Sequence, residues 1–317
     1  MLRLFGDTRI DFVGFRRKAF FISGILLLVG IISVVVQGGF YYGVDFTGGA
    51  LVLIRFEKPV SVDELRSLFG EKAFPCESIQ DAGDNSYYIR VGLEGAEKGG
   101  VGARIKEILK SAYPDNEVVV EKEDVVGPAV SEGLRWRAVW VVLLGMVGIL
   151  IYVSFRFAFI FGIAAVIALF HDVLITLGLL SLLHKEINIP IVAALLFIVG
   201  YSINDSIVVS DRIRENRKLL RDKSWPEMVN VSINQTLSRT VITSLTTIMV
   251  LLCLYLFGGK VIHDFAFTLL WGVIVGTYSS IFVVAPIVVE WQELQKAKKS
   301  GGKRTEKRSK KGGKRKK

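Results

Sequence analysis

Three ionisable side chains lie in otherwise apolar stretches, and these residue types could move protons. Asp172 follows His171 in one stretch, Asp205 lies in the run Gly-Tyr-Ser-Ile-Asn-Asp-Ser of the next, and Arg239 begins a third. A charge inside a membrane span is costly and usually faces a partner or a water-filled path. A carboxylate held between the desolvating effect of burial and the attraction of a nearby Arg can load and release protons. We therefore predict a proton pathway through Asp205, Arg239 and Asp172.

The positions of Asp205 and Arg239 along their stretches predict that the two side chains can pair. Asp205 lies about five residues beyond the middle of its stretch, roughly 7 Å along a helix axis. Arg239 starts its stretch on the same side and lies at a similar depth. Each residue also has a structural interpretation. Asp205 can hold helices together, Arg239 can extend to the interface, and the His171–Asp172 pair can be a hydrogen bond between helices.

The remaining sequence argues against enzyme chemistry. It contains no Gly-rich phosphate loop with a Lys, no nucleophile elbow and no helical His-Glu-x-x-His motif. The two cysteines, Cys76 and Cys253, and the three histidines are too scattered for a disulfide framework or a metal site. We predict neither an enzyme nor a bound cofactor or metal.

Six segments are long and apolar enough to carry these residues across a bilayer as helices. Hydrophobic residues make up 51% of the chain, which is high for a soluble domain. The first segment is too long for a signal peptide and predicts an uncleaved anchor. The predicted spans are 19–36, 138–155, 157–183, 187–210, 239–257 and 264–290.

Basic residues predict the orientation of these spans. The N-terminal segment 1–18, Arg156, the Arg-rich connector 211–238 and the tail 291–317 all fall on one side of six spans. Because basic loops stay in the cytoplasm, both termini are predicted to be cytoplasmic. The segment 37–137, with more acidic than basic residues, then lies outside the cytoplasm.

The Lys- and Arg-rich tail 291–317 is predicted to be disordered. Attraction to anionic lipid is the interpretation we favour for it. A contact with the ribosome or RNA is the alternative, and we predict no specific nucleic-acid partner.

The segment 37–137 predicts one folded α+β domain. Tyr87, Ile89 and Val91 alternate with polar or charged neighbours as in a strand, and Ser61 with Glu64 forms a capping-box pattern. The order is βαββαβ, which is ferredoxin-like. Strands are predicted over 50–57, 74–80, 86–92 and 116–123, and helices over 61–69 and 101–112.

Six short motifs follow one another along the chain, at residues 43–49, 126–131, 171–172, 200–205, 211–216 and 238–244. In this order and at these topological places they resemble the SecD/SecF family of protein-export proteins, within the resistance–nodulation–division class. The resemblance extends to about Glu290. Several motif residues suit structural joints where the chain leaves and re-enters the membrane. These are Asp45, Gly48, Gly49, Gly127 and Pro128.

The resemblance implies a six-span subunit of the bacterial inner membrane that pairs with SecD about a pseudo-two-fold axis. The pair would use the proton-motive force to promote export of unfolded preproteins through the SecYEG channel, with YajC as a further candidate partner. Asp205 and Arg239 match family positions tied to proton conduction. Two other functions remain open: half of a small-molecule or lipid exporter, and a scaffold that only positions the channel.

Overall fold

The computed structural model describes residues 8–96, 100–157 and 159–296. The tail, with its predicted lipid contact, lies outside the described residues from residue 297 onward. In chain order the elements are α1 (Arg16–Val36), α2 (Val44–Thr47), β1 (Gly49–Phe56), α3 (Val62–Glu71), β2 (Cys76–Gly83), β3 (Ser86–Val91), α4 (Leu93–Ala96), α5 (Val101–Ala112), β4 (Val118–Val126), α6 (Pro128–Ser131), α7 (Leu134–Arg156), α8 (Phe159–Leu182), α9 (Ile189–Leu219), α10 (Trp225–Phe257) and α11 (Lys260–Ser279).

Six helices of the described chain are long and apolar enough to cross a membrane, which confirms the predicted fold class. They are α1, α7, α8, α9, α10 and α11, the last of which continues through a π-helical turn, Ser280–Val284, and on to Lys296. Helices α8 and α11 are mostly buried and α9 is half buried, whereas α1, α7 and α10 are mostly exposed. The bundle therefore has three inner helices and three peripheral ones.

The helix ends differ from the predicted boundaries most clearly in the connector 211–238. This segment was predicted to be a loop, but α9 continues to Leu219 and α10 begins at Trp225. Ser224 and Glu227 form a capping box at the start of α10. Arg, Lys, Glu and Leu are good helix formers in water, so the helices extend beyond the apolar stretch. The loss of hydropathy marks where a helix leaves the membrane, not where it ends.

A close backbone contact joins α1 to the inner helix α8. A Cβ atom added at Gly178 would lie 2.7 Å from the Cα of Gly30, and the reverse substitution is equally tight. Small residues allow membrane helices to approach this closely. The contact holds α1 beside the part of α8 that carries Asp172.

The sheet domain has the predicted βαββαβ order. Its strands lie in the order β2-β3-β1-β4, and every neighbouring pair is antiparallel. Helices α3 and α5 contribute Leu65, Phe69, Ile105 and Leu109 to the buried core on one face of the sheet. The predicted capping box is present, since Ser61 accepts a hydrogen bond from the Glu64 backbone. The other face of the sheet carries Tyr88, which contacts the start of α11, and Arg90, which contacts the segment between α1 and β1.

Candidate functional site

Asp172 of α8 lies at the centre of a hydrogen-bonded cluster that joins three inner helices. Its side chain is fully buried. Oδ1 lies 2.9 Å from His171 Nδ1, and Oδ2 accepts hydrogen bonds from Ser202 Oγ of α9 (2.6 Å) and Ser279 Oγ of α11 (2.7 Å). Both oxygens therefore have partners, as a buried carboxylate requires.

The cluster continues from His171 to the peripheral helix α1. His171 Nε2 lies 2.9 Å from Ser23 Oγ, which in turn lies 3.2 Å from the Tyr278 hydroxyl. Tyr278 donates to the backbone carbonyl of Ala19 at 2.9 Å. Asp172 and His171 thus connect α1, α8, α9 and α11. Sequence reasoning missed Ser23, Ser202, Tyr278 and Ser279 as partners, because single polar residues in apolar spans give no signal of which helices meet.

Asp205 of α9 is also buried, but its carboxylate has a less complete set of hydrogen-bond partners than that of Asp172. Its side chain is 3% exposed, and Oδ2 has no hydrogen-bond partner among the described residues. The Ser244 hydroxyl of α10 lies beside the carboxylate, and Thr277 of α11 donates to that hydroxyl at 2.8 Å. Burying a carboxylate anion costs free energy when one of its oxygens has no partner. Such a carboxylate can therefore accept a proton.

Two further buried polar atoms near Asp205 lack partners within the described part of the chain. They are the hydroxyl of Tyr201, one turn earlier on α9, and Thr240 Oγ1, one turn before Ser244 on α10. Buried polar groups of this kind are normally satisfied by protein or by ordered water. The surroundings of Asp205 are therefore polar and incompletely paired, in contrast to those of Asp172.

The predicted ion pair between Asp205 and Arg239 is not formed. Within the described residues, the ion pairs closer than 4 Å do not include these two side chains. Arg239 is exposed on α10 whereas Asp205 faces the interior, and this difference in direction separates them.

Asp172 and Asp205 share one polar interior. Ser202, which hydrogen-bonds to Asp172, precedes Asp205 by three positions and lies on the same face of α9. The backbone of Gly276 packs against Ser202, since a Cβ atom added at Gly276 would lie 3.0 Å from that of Ser202. The carboxylates of Asp172 and Asp205 therefore lie on one side of α9, whereas Arg239 lies outside this polar interior.

The motif at residues 43–49 forms a joint between the sheet domain and α9. Asp45 Oδ2 accepts a hydrogen bond from the backbone of Ile189 at 2.7 Å, while Asn188 caps the same helix through Ile191 (3.0 Å). Gly48 and Gly49 have φ angles of +75° and +112°, which other residues rarely adopt. Gly127 and Pro128 begin α6, with the proline in its first turn.

Removing the Asp45 cap is expected to weaken the start of α9. We predict that Asp45→Ala lowers stability by about 1 kcal/mol, since it leaves a backbone N–H of the first helical turn without its acceptor. Thermal unfolding of the purified protein in detergent measures the effect. Asp45→Asn keeps an oxygen acceptor and is the matched control. Equal melting temperatures for Asp45→Ala and the unsubstituted protein would contradict the capping role.

A six-helix membrane bundle with buried carboxylates and a sheet domain inserted after the first helix defines a class of membrane transport protein, and sequence comparison identifies the family. The family model for the SecD/SecF C-terminal region of protein export membrane proteins matches residues 104–294, and that for the SecD/SecF GG motif matches residues 33–60. The chain belongs to the SecD/SecF family.

Relatives and solved structures agree with this assignment. The protein translocase subunit SecF of Endomicrobium trichonymphae is 42% identical, over 92% of this chain and 94% of the relative. SecDF of Thermus thermophilus is 45% identical over 93% of this chain, which corresponds to only 40% of that longer protein. A crystal structure of SecDF from the same organism, described as a translocon-associated membrane protein, matches 90% of this chain with a TM-score of 0.82 and 44% identity.

Proposed function

We propose that the chain is the SecF-type subunit of the Sec translocase and, together with SecD, uses the proton-motive force to promote preprotein export. The observation that carries the proton role is the buried Asp205 carboxylate with one unpartnered oxygen. Membership of the SecD/SecF family supports the export role. The chain aligns with 94% of the SecF relative and with 40% of SecDF, and SecD is the proposed partner.

The proposed location is the bacterial inner membrane, with both chain termini in the cytoplasm. The sheet domain lies at the ends of the helices opposite to Arg16, Arg156 and Arg217. This segregation of positive charge supports a sheet domain outside the cytoplasm.

In the proposed mechanism Asp205 takes up a proton from the extracytoplasmic side and releases it inward. Asp172 would share the path with Asp205, because its hydrogen-bond partner Ser202 lies on the same face of α9 as Asp205. Arg239 would stabilise the anionic form of Asp205 when the helices shift and bring the two charges together. Neutralising a buried charge changes which packing of α9 and α10 is favoured, and the coupling to export is therefore conformational.

Exposed polar positions on α9 and α10 support the proposal of a membrane partner. Arg239 and Asn204 lie on exposed positions of α10 and α9, where a second membrane chain can cover them. Lipid would leave these polar groups unpaired, which favours SecD as the occupant. SecYEG, YajC and the emerging unfolded preprotein are the further partners in the proposal, with anionic lipid at the basic tail.

A small-molecule or lipid exporter and an inert scaffold are the competing functions. The test is a strain that lacks the chain, scored both for secretion of a reporter preprotein and for sensitivity to toxic compounds. The export function predicts slower secretion, restored by the intact gene, with unchanged drug sensitivity. Normal secretion with increased drug sensitivity would overturn the export function in favour of an exporter.

A further inference from the structure

Arg90 of β3 is a buried arginine that joins the sheet domain to the membrane helices. Its side chain is 9% exposed. It donates hydrogen bonds to the carbonyl of Tyr42 (3.0 Å) and to Thr47 Oγ1 (2.7 Å), and it lies 3.5 Å from the Glu186 carboxylate. Its Nε lies 3.2 Å from Glu77 Oε2 of β2. A guanidinium presents its donors in a rigid planar fork and can hold several partners in fixed directions, whereas a lysine ammonium is a compact point charge on a flexible stem.

Apart from Glu77, these partners belong to the two segments that meet at the start of α9. Tyr42 and Thr47 lie between α1 and β1, whereas Glu186 lies in the connection between α8 and α9. Backbone hydrogen bonds also join the two segments, from Gly43 N to Ile187 O and from Ile187 N to Tyr41 O, both 2.8 Å. With the Asp45 cap on Ile189, a continuous set of contacts leads from Arg90 into α9, the helix that carries Asp205.

Glu186 is largely removed from solvent at this junction. Burial raises the pKa of the Glu186 carboxyl, and the neighbouring Arg90 opposes that shift. A carboxylate and a guanidinium that lie this close in a buried junction hold a defined geometry, because separating them leaves a charge unpaired.

A second contact links the same sheet face to α11. The Tyr88 hydroxyl donates to the backbone carbonyl of Lys260 at 3.1 Å, and the Lys260 side chain lies 3.2 Å from Asp84. Burial raises the pKa of Tyr88 to about 12, so its hydroxyl remains a donor at physiological pH. Helix α11 carries Thr277 and Ser279 of the polar interior. The sheet therefore contacts the outer ends of two helices that line the candidate proton site.

We propose that Arg90 is a positioning residue that couples proton binding at Asp205 to movement of the sheet domain. It acts through the segments around Tyr42 and Glu186, and it does not touch the proton path itself. The proposal rests on the proposed proton-driven export function. A coupling role differs from a merely structural role in one respect. Removal of a coupling Arg90 leaves proton flow intact while export is lost.

The test compares Arg90→Gln with the unsubstituted chain, each in complex with SecD, in two assays. Proton flux into vesicles is expected to be unchanged, whereas gradient-dependent secretion of a reporter preprotein is expected to be lost. Arg55→Gln is the matched control, since Arg55 lies on the same sheet and pairs with Glu121 at 2.7 Å but is half exposed. It is expected to leave both activities intact.

Retention of both activities in Arg90→Gln would overturn the coupling role, and so would an equal loss of both. If Arg90→Gln lowers the protein level, Thr47→Val removes the shortest hydrogen bond of Arg90 and is scored by the same criteria. Asp205→Asn separates the two proposals. If Asp205→Asn leaves gradient-dependent secretion intact, the proton-driven function itself fails. If Asp205→Asn removes it and Arg90→Gln does not, only the coupling role fails.

Discussion

Replacement of Asp205 by Asn is expected to abolish the gradient-dependent part of preprotein secretion. The amide has nearly the same size and keeps an acceptor for the Ser244 hydroxyl, but it cannot take up a proton. The side chain at position 205 would then stay neutral in its partly unpaired surroundings. Helices α9 and α10 would therefore keep a single packing arrangement. Secretion should fall to the level measured after the gradient is collapsed, with the protein present at its normal level.

Asp222→Asn is the matched control for this substitution. Asp222 is an exposed carboxylate in the turn between α9 and α10, so the same chemical change occurs outside the polar interior. Secretion by this variant should keep its dependence on the gradient. Full gradient-dependent secretion by Asp205→Asn would show that the carboxylate only holds helices together, and would favour the scaffold function.

Replacement of Asp172 by Ala is expected to be the most destabilising single change in the polar interior. It leaves His171, Ser202 and Ser279 without the acceptor that joins α8 to α9 and α11. A buried donor left without its acceptor costs about 1–3 kcal/mol, and two serine hydroxyls lose their acceptor here. The melting temperature of the purified protein in detergent, and its level in the membrane, should both fall clearly.

Asp172→Asn distinguishes a structural role from a proton role at this position. An Asn side chain can accept from both serines and donate to His171 Nδ1, so it satisfies the cluster without a titratable group. Near-normal stability combined with lost secretion would support a place for Asp172 on the proton path. Near-normal stability with normal secretion would make it a structural anchor. A stable Asp172→Ala variant would contradict the importance of the cluster.

The sequence was sufficient to predict six spans and the βαββαβ domain because hydropathy and periodicity report directly on burial. Asp172 and Asp205 were also predictable as unusual residues, since a carboxylate in an apolar stretch is rare. Their different surroundings were not predictable. Whether Ser279 or Ser244 contacts a given carboxylate depends on how helices distant in sequence pack together.

The ion pair predicted between Asp205 and Arg239 is not formed, and similar depth in the membrane was the only basis for that prediction. Similar depth along two helices says nothing about the direction in which each side chain points, and Arg239 lies on the exposed side of α10. Arg90 shows a related limit. Strand alternation places it on the face opposite the core, where solvent would be expected, but the segment that contains Tyr42 and Thr47 covers it there.

The central claim is that Asp205 carries protons across the membrane, and proton flux tests it most directly. Purified complex with SecD would be placed in vesicles that contain a pH-sensitive dye, and an inward proton gradient would be imposed. The account predicts acidification faster than in empty vesicles for the unsubstituted chain and for Asp222→Asn, and the rate of empty vesicles for Asp205→Asn. Equal acidification with Asp205 and with Asn at this position would contradict the claim.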